Sequence, residues 1–254
     1  MLVGEEFEYR DGDTACKGRL VMPSGTDTRP GVVVFPDIMG MGEHPVGRAQ
    51  RLAAEFGYVA LVADVYGNGA FPGFPDAQDV VASWISRPGD LARRAAAALV
   101  ALKSHPRCNG RLGAIGFCFG GATVLALARS GNQDLLAGVS FHGVLATPSV
   151  ATLGAVSAKL LVCHGADDPF AGEAPLMGLA GDVKSRTLAE FLKEMSDSGT
   201  DCQVVAYAGI VHAFTIPHAD QFGTPGAKYD AATDVRSWRA MGSLFDEVLG
   251  PNIA

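Results

Sequence analysis

No two cysteines of this 254-residue chain stand at C-x-x-C spacing. The five present, Cys16, Cys108, Cys118, Cys163 and Cys202, are scattered and odd in number. Neither a disulfide framework nor a zinc site is implied, and no metal or cofactor is expected. Positive charge is also scarce. Twenty Lys and Arg face 27 Asp and Glu, for a formal charge of −7 at pH 7. That argues against nucleic acid or an anionic membrane as the principal partner. No apolar run reaches the ~20 residues of a membrane span. The opening residues, Met1-Leu2-Val3-Gly4-Glu5-Glu6, turn acidic without the apolar core of a signal peptide. The expected setting is a reducing cytoplasm. Repeats, low-complexity blocks and interdomain linkers are missing as well, so residues 1–254 read as one domain, long enough for a full core.

What the chain does have is alternation. Glu5 to Arg10 and Thr14 to Val21 flank Asp11-Gly12-Asp13, a hairpin signal. Gly31 to Phe35 is a β-branched run, read as the first buried parallel strand. A helix over Pro45–Phe56 and a strand over Val59–Ala63 follow, then a stretch rich in Gly, Pro and Phe from Gly67 to Pro75. Two helices, Asp76–Ser86 and Asp90–Lys103, are separated by Arg87-Pro88-Gly89. Further strands are expected at Leu112–Gly116, Gly138–Phe141, Lys159–His164 and Gln203–Tyr207, with helices at Gly121–Arg129, Ser185–Ser198 and Asp230–Leu249. Such a pattern predicts an α/β fold: a mostly parallel twisted sheet, an N-terminal antiparallel hairpin and helices on both faces.

One hexapeptide carries chemistry. Gly116-Phe117-Cys118-Phe119-Gly120-Gly121 lies between a predicted strand and a predicted helix. It reads as a nucleophile elbow with cysteine in place of serine. The glycines let strand and helix approach closely, and the helix N-terminus adds positive potential beside the thiol. The bland alternative is a glycine-rich turn around a buried, inert cysteine.

Later segments weigh against that alternative. Enzymes with such an elbow place the nucleophile first, then an acid, then a histidine. Leu160 to His164 is an apolar strand that runs into Gly165-Ala166-Asp167-Asp168-Pro169, and Val204 to Tyr207 runs into Gly209-Ile210-Val211-His212. Both loops follow the carboxyl ends of strands, where open α/β sheets bind ligands. Asp168 is preferred over Asp167 because Pro169 fixes its loop; Asp167 suits a turn. His212 is preferred over His44, His105, His142, His164 and His218 by its position after the last core strand. His212 would take the thiol proton and Asp168 would orient the imidazole. The backbone N–H groups of Phe119 and Ile38 are the expected oxyanion donors. Asp37 stands at the mouth of the site, either as a loop acid or as a functional one.

Taken together, Phe35-Pro36-Asp37-Ile38-Met39-Gly40, Ala63-Asp64-Val65-Tyr66, the elbow, Gly165 to Phe170 and His212-Ala213-Phe214 resemble the dienelactone hydrolase family. The likeness runs from Gly31 to about Leu249. It implies the α/β-hydrolase fold and a Cys118-His212-Asp168 triad. It also implies a carboxylic ester or lactone hydrolase, carboxymethylenebutenolidase-like, that acts through a thioester. Members of the family carry a glutamate in contact with the thiol where Asp37 stands, one methylene shorter. Members that open dienelactones hold the substrate carboxylate with arginines, one of them just after the His-x-Phe motif. Thr215-Ile216-Pro217 follows that motif here, and Asp76, Gln78 and Asp79 precede Trp84. Without that clamp, the expected substrate is a small neutral ester or lactone rather than an anionic dienelactone.

Phe71, Phe74, Trp84, Phe170 and Phe214 are the expected apolar pocket wall. A monomer or weak homodimer is expected. The rival reading from another class is a redox or electrophile sensor that uses the same activated thiol without turnover.

Overall fold

The computed structural model describes residues 1–73, 76–172 and 186–250. Eight strands form one sheet: β1 (Leu2–Asp11), β2 (Thr14–Pro23), β3 (Arg29–Phe35), β4 (Val59–Val62), β5 (Cys108–Phe117), β6 (Leu135–Phe141), β7 (Lys159–Gly165) and β8 (Cys202–Tyr207). Their spatial order is β1-β2-β4-β3-β5-β6-β7-β8. β1 and β2 pair antiparallel around a two-residue turn in which Gly12 takes φ 58°, and β2 runs antiparallel to β4. All remaining pairings are parallel.

The central strands are apolar runs because both of their faces are covered. Val32, Val33, Val34 and Phe35 of β3 are fully buried. α1 (Glu43–Phe56) and α6 (Ala231–Leu249) pack with Val32, Val34, Ile115 and Phe117 on one face. α2 (Asp76–Ser86), α3 (Pro88–Lys103), α4 (Phe119–Arg129) and α5 (Leu188–Asp197) pack with Val33, Phe35 and Ala114 on the other. β1 forms one rim of the sheet, and Glu5, Glu6 and Glu8 on it are exposed.

The fold is the predicted one, with shifted ends. α3 starts at Pro88 rather than Asp90, since proline has no N–H to lose at a helix's first position. α5 starts after Thr187, whose side chain and that of Glu190 form a reciprocal capping box. β5 begins four residues before the expected Leu112, because Cys108 still pairs with Arg29 beyond a bulge. Among the described residues, no helix is long and apolar enough to cross a membrane.

Candidate active site

Cys118 occupies the turn from β5 to α4 with φ 53° and ψ −113°, a conformation that a residue with a side chain rarely adopts. Its neighbours explain how it is held. A Cβ on Gly116 would stand 2.0 Å from the carbonyl oxygen of Gly120, and a Cβ on Gly120 would stand 2.0 Å from that of Phe35. The ends of β5 and β3 and the start of α4 thus meet where only glycine fits. The Cys118 N–H donates to the Phe141 carbonyl (3.1 Å), and the Val144 N–H donates to the Cys118 carbonyl (3.3 Å). Cys16 and Cys163 are sealed in the core, whereas Cys118 is only partly buried. The positive end of α4 lies beside it.

His212 reaches the same place from the long β8–α6 connection. Its N–H donates to the Gly226 carbonyl (3.0 Å), and its carbonyl accepts from the Lys228 N–H (3.0 Å). Ala213 turns the chain with φ 60°. Nδ1 lies 2.7 Å from Oδ2 of Asp168, whose Oδ1 accepts from the Phe170 N–H (2.9 Å). Cys118 lies close enough for its sulfur to act on the ring's charge, and Nδ1 is already engaged. Burial disfavours the imidazolium, but the adjacent Cys118 and Asp168 outweigh it and push His212 up to about 10. Burial likewise opposes the Asp168 carboxylate, yet His212 holds it below the usual range. Asp167 is exposed and takes no part in this chain of contacts.

Two further histidines lie behind the pair. His142, fully buried, has Nε2 2.8 Å from Oγ1 of Thr215 and its ring edge-on to His212 at 5.1 Å. His164 has Nε2 3.8 Å from Oδ2 of Asp168, and neither of its nitrogens has a hydrogen-bond partner among the described residues. Burial pushes both below the ordinary histidine range.

Asp37 corrects an expectation. Its Oδ1 accepts from the Met39 N–H (2.7 Å), and its Oδ2 faces Nδ1 of His44 at 3.5 Å. Among the described residues it makes no hydrogen bond to Cys118. A carboxylate two bonds from its own backbone folds readily onto the N–H two residues on, and its outer oxygen faces His44 without a hydrogen bond. Ile38 and Phe119 do flank the thiol's loop as expected, and neither N–H is engaged in a hydrogen bond among the described residues.

A cavity of about 1240 Å³ opens beside Cys118 and His212. Of the expected wall, Phe170 alone among the described residues lines it, edge-on to His212 at 4.8 Å. Phe214 is buried behind His142 and Tyr207. Trp84 packs on the core beneath Arg87 and Arg94. Phe71 is largely exposed beside Tyr66. Phe74 lies outside the described residues. Apolar lining comes instead from Ile38, Met39, Val81, Val144 and Ile216.

Sequence reasoning missed Tyr66 and the Arg48–Asp234 pair. Tyr66 donates to the Ile38 carbonyl (2.7 Å), and burial together with the charges of Asp37 and Cys118 pushes its phenol up. Arg48 binds Asp234 with two hydrogen bonds of 2.8 and 2.9 Å and donates to the Thr215 carbonyl at 2.5 Å. It thereby ties α1 and α6 to the loop that carries His212. The sequence around His212 gives no hint of it, since the partners stand 186 positions apart.

A model of the dienelactone hydrolase family matches residues 16–249. A crystal structure of a dienelactone hydrolase-like promiscuous phosphotriesterase from metagenomic libraries is 38% identical, with a TM-score of 0.87 over 98% of this chain and 99% of that one. A Bradyrhizobium protein named as a probable 2-oxo-3-(5-oxofuran-2-ylidene)propanoate lactonase is 29% identical over 77% of this chain and 77% of its own. The dienelactone hydrolase of Anabaena variabilis shares the fold at 20% identity, with a TM-score of 0.63 over 98% of this chain and 99% of that one.

Proposed function

The chain belongs to the dienelactone hydrolase family, and from that premise we propose that it hydrolyses uncharged esters or lactones through a thioester on Cys118. The observation that carries this reading is the His212–Asp168 hydrogen bond set beside Cys118 at the edge of one cavity. His212 takes the thiol proton. The sulfur attacks the carbonyl carbon, and the π electrons move to oxygen. The N–H groups of Phe119 and Ile38 receive that oxyanion; each such donor is worth ~2.7–4 kcal/mol in related sites. Collapse breaks the carbon–oxygen bond, and His212 protonates the departing alkoxide. Water, deprotonated by His212, then attacks the thioester and releases the acid and the thiol.

The cavity supports an uncharged substrate. Thr215 follows the histidine motif where a carboxylate-binding arginine would stand, and it is buried with its hydroxyl on His142. Neutral phosphotriesters are a second substrate class to test, on the strength of the 38% identical phosphotriesterase.

The test is steady-state turnover of p-nitrophenyl acetate, an anionic dienelactone and a neutral phosphotriester by the native protein and by Cys118→Ala. Repeated turnover of at least one neutral substrate is expected, with a loss of about a thousandfold or more in the variant. Retained turnover by Cys118→Ala would sink the assignment. A single stoichiometric reaction per thiol would point to the sensor instead.

A further inference from the structure

The cavity beside Cys118 is larger than a small lactone requires. Its volume of about 1240 Å³ exceeds the ~300–1,000 Å³ of ordinary ligand pockets. Its lining comes from both layers of helices. Val81 and Ala82 belong to α2, which packs on one face of the sheet, whereas Gly47 and Arg51 belong to α1, which packs on the other. The cavity therefore crosses the carboxyl edge of the sheet. Cys118, at the end of the central strand β5, lies between its two ends.

Those ends differ in chemistry. Toward α2 the lining is Ile38, Val81, Ala82, Val144 and Phe170, with Gln78 beside them. Toward α1 it is Glu43, His44, Pro45 and Arg51. Arg48 and Asp234 also reach this end, but they neutralise each other through two hydrogen bonds. Arg51 is paired with Glu55 at 2.7 Å and lies over the Trp238 ring at 4.4 Å. Its charge is thus already matched, and Glu43 adds a carboxylate to the same end. The α1 end offers hydrogen-bonding groups without surplus positive charge, which disfavours an anion.

We infer that the substrate is an uncharged ester with two sizeable arms. Its reacting carbonyl sits over Cys118, an apolar arm lies against α2, and a hydroxyl- or carbonyl-bearing arm lies against α1. This deepens the hydrolase reading above and rests on it. A small lactone fills only the middle of the cleft and forgoes the apolar contacts at its end, each methylene of which is worth roughly 10–200-fold in kcat/KM in a fitted pocket.

Two ester series test the inference. Chain length is varied on the acyl side with p-nitrophenyl acetate and octanoate, and on the alcohol side with ethyl and octyl butyrate. The native protein is expected to prefer the longer member of one series in kcat/KM. Ala82→Trp fills the α2 end and should lower that long-to-short ratio about tenfold; Gln78→Trp, on the same helix, serves if the first variant fails to fold. Arg51→Ala should raise KM for glyceryl monobutyrate about threefold more than for ethyl butyrate. No preference for length in either series, or ratios unmoved by the substitutions, would overturn the two-armed cleft. Cys118→Ala separates the two readings. If it is inert while the ratios stay flat, the arms fail alone; if it stays active, the nucleophile fails.

Discussion

Cys118 and His212 define each other's chemistry. Cys118 is the largest influence that raises the imidazole against its burial, ahead of Asp168. Removing the sulfur therefore lowers the proton affinity of the ring. In Cys118→Ala, the His212 side-chain resonance followed by NMR is expected to titrate at lower pH than in the native protein. An unchanged titration would mean that Asp168 alone holds the proton. The same residues show what was legible beforehand. The elbow could be read because Gly116, Gly120 and Gly121 stand next to the residue they serve, and each is demanded by a contact that no side chain could share. Asp168 and His212 could be read because each follows a strand end. Asp37 misled, since position in the loop was legible but side-chain direction was not: the choice between the thiol, the Met39 N–H and His44 is decided by local turn geometry. The aromatic wall misled for a related reason. Phe214 stands two residues after His212 yet is fully buried in the core, and Trp84 packs against the core from α2.

Among the elements, the strands of the parallel sheet were the plainest to read, because burial on both faces leaves continuous apolar runs such as Val32 to Phe35. Helix starts were less plain, since caps such as Thr187 and Asp230 act through single side chains. Least legible was the link between elements. The Arg48 guanidinium joins α1, α6 and the carbonyl of Thr215, three residues beyond His212, and lies over the rings of Phe117 and Trp238. Breaking a buried pair from one side leaves a charge without its partner, at about 3–5 kcal/mol. Arg48→Met is expected to lower stability by that order and to lower kcat by loosening the histidine loop. Arg48→Met with Asp234→Leu should recover most of the stability but not all of the activity. Urea denaturation and kinetics of the single and double variants measure both. Equal losses in single and double variants would show that packing of the arginine stem, not the charge, is what matters.

For the molecule as a whole, buried histidines shape stability against pH. His142 and His164 are pushed below their ordinary 6.5 by burial, so the unfolded chain binds protons there that the native state refuses. Their contribution is present above pH 6.5 and is lost as the pH falls below it. His212 works in the opposite sense. Raised from 6.5 to about 10, it contributes fully below pH 6.5 and loses that contribution as the pH rises toward 10. Asp168, held below its ordinary value, adds to the loss on the acid side. The urea midpoint is expected to be highest near neutral pH and to fall in both directions. Cys118→Ala should flatten the alkaline branch while leaving the acid branch in place. A midpoint that climbs steadily from pH 5 to 9 in the native protein would contradict this account.

The β1 rim has a consequence for how copies of the molecule treat each other. An outermost strand offers a row of backbone donors and acceptors that a second chain can extend. Here Glu5, Glu6 and Glu8 stand exposed along that row, and charged side chains on an outermost strand disfavour its extension by a second chain. Replacing them with amides removes that obstacle. Light scattering of Glu6→Gln with Glu8→Gln is expected to rise with protein concentration at neutral pH, whereas that of the native protein stays level; equal scattering would show that this rim is guarded by something other than its carboxylates.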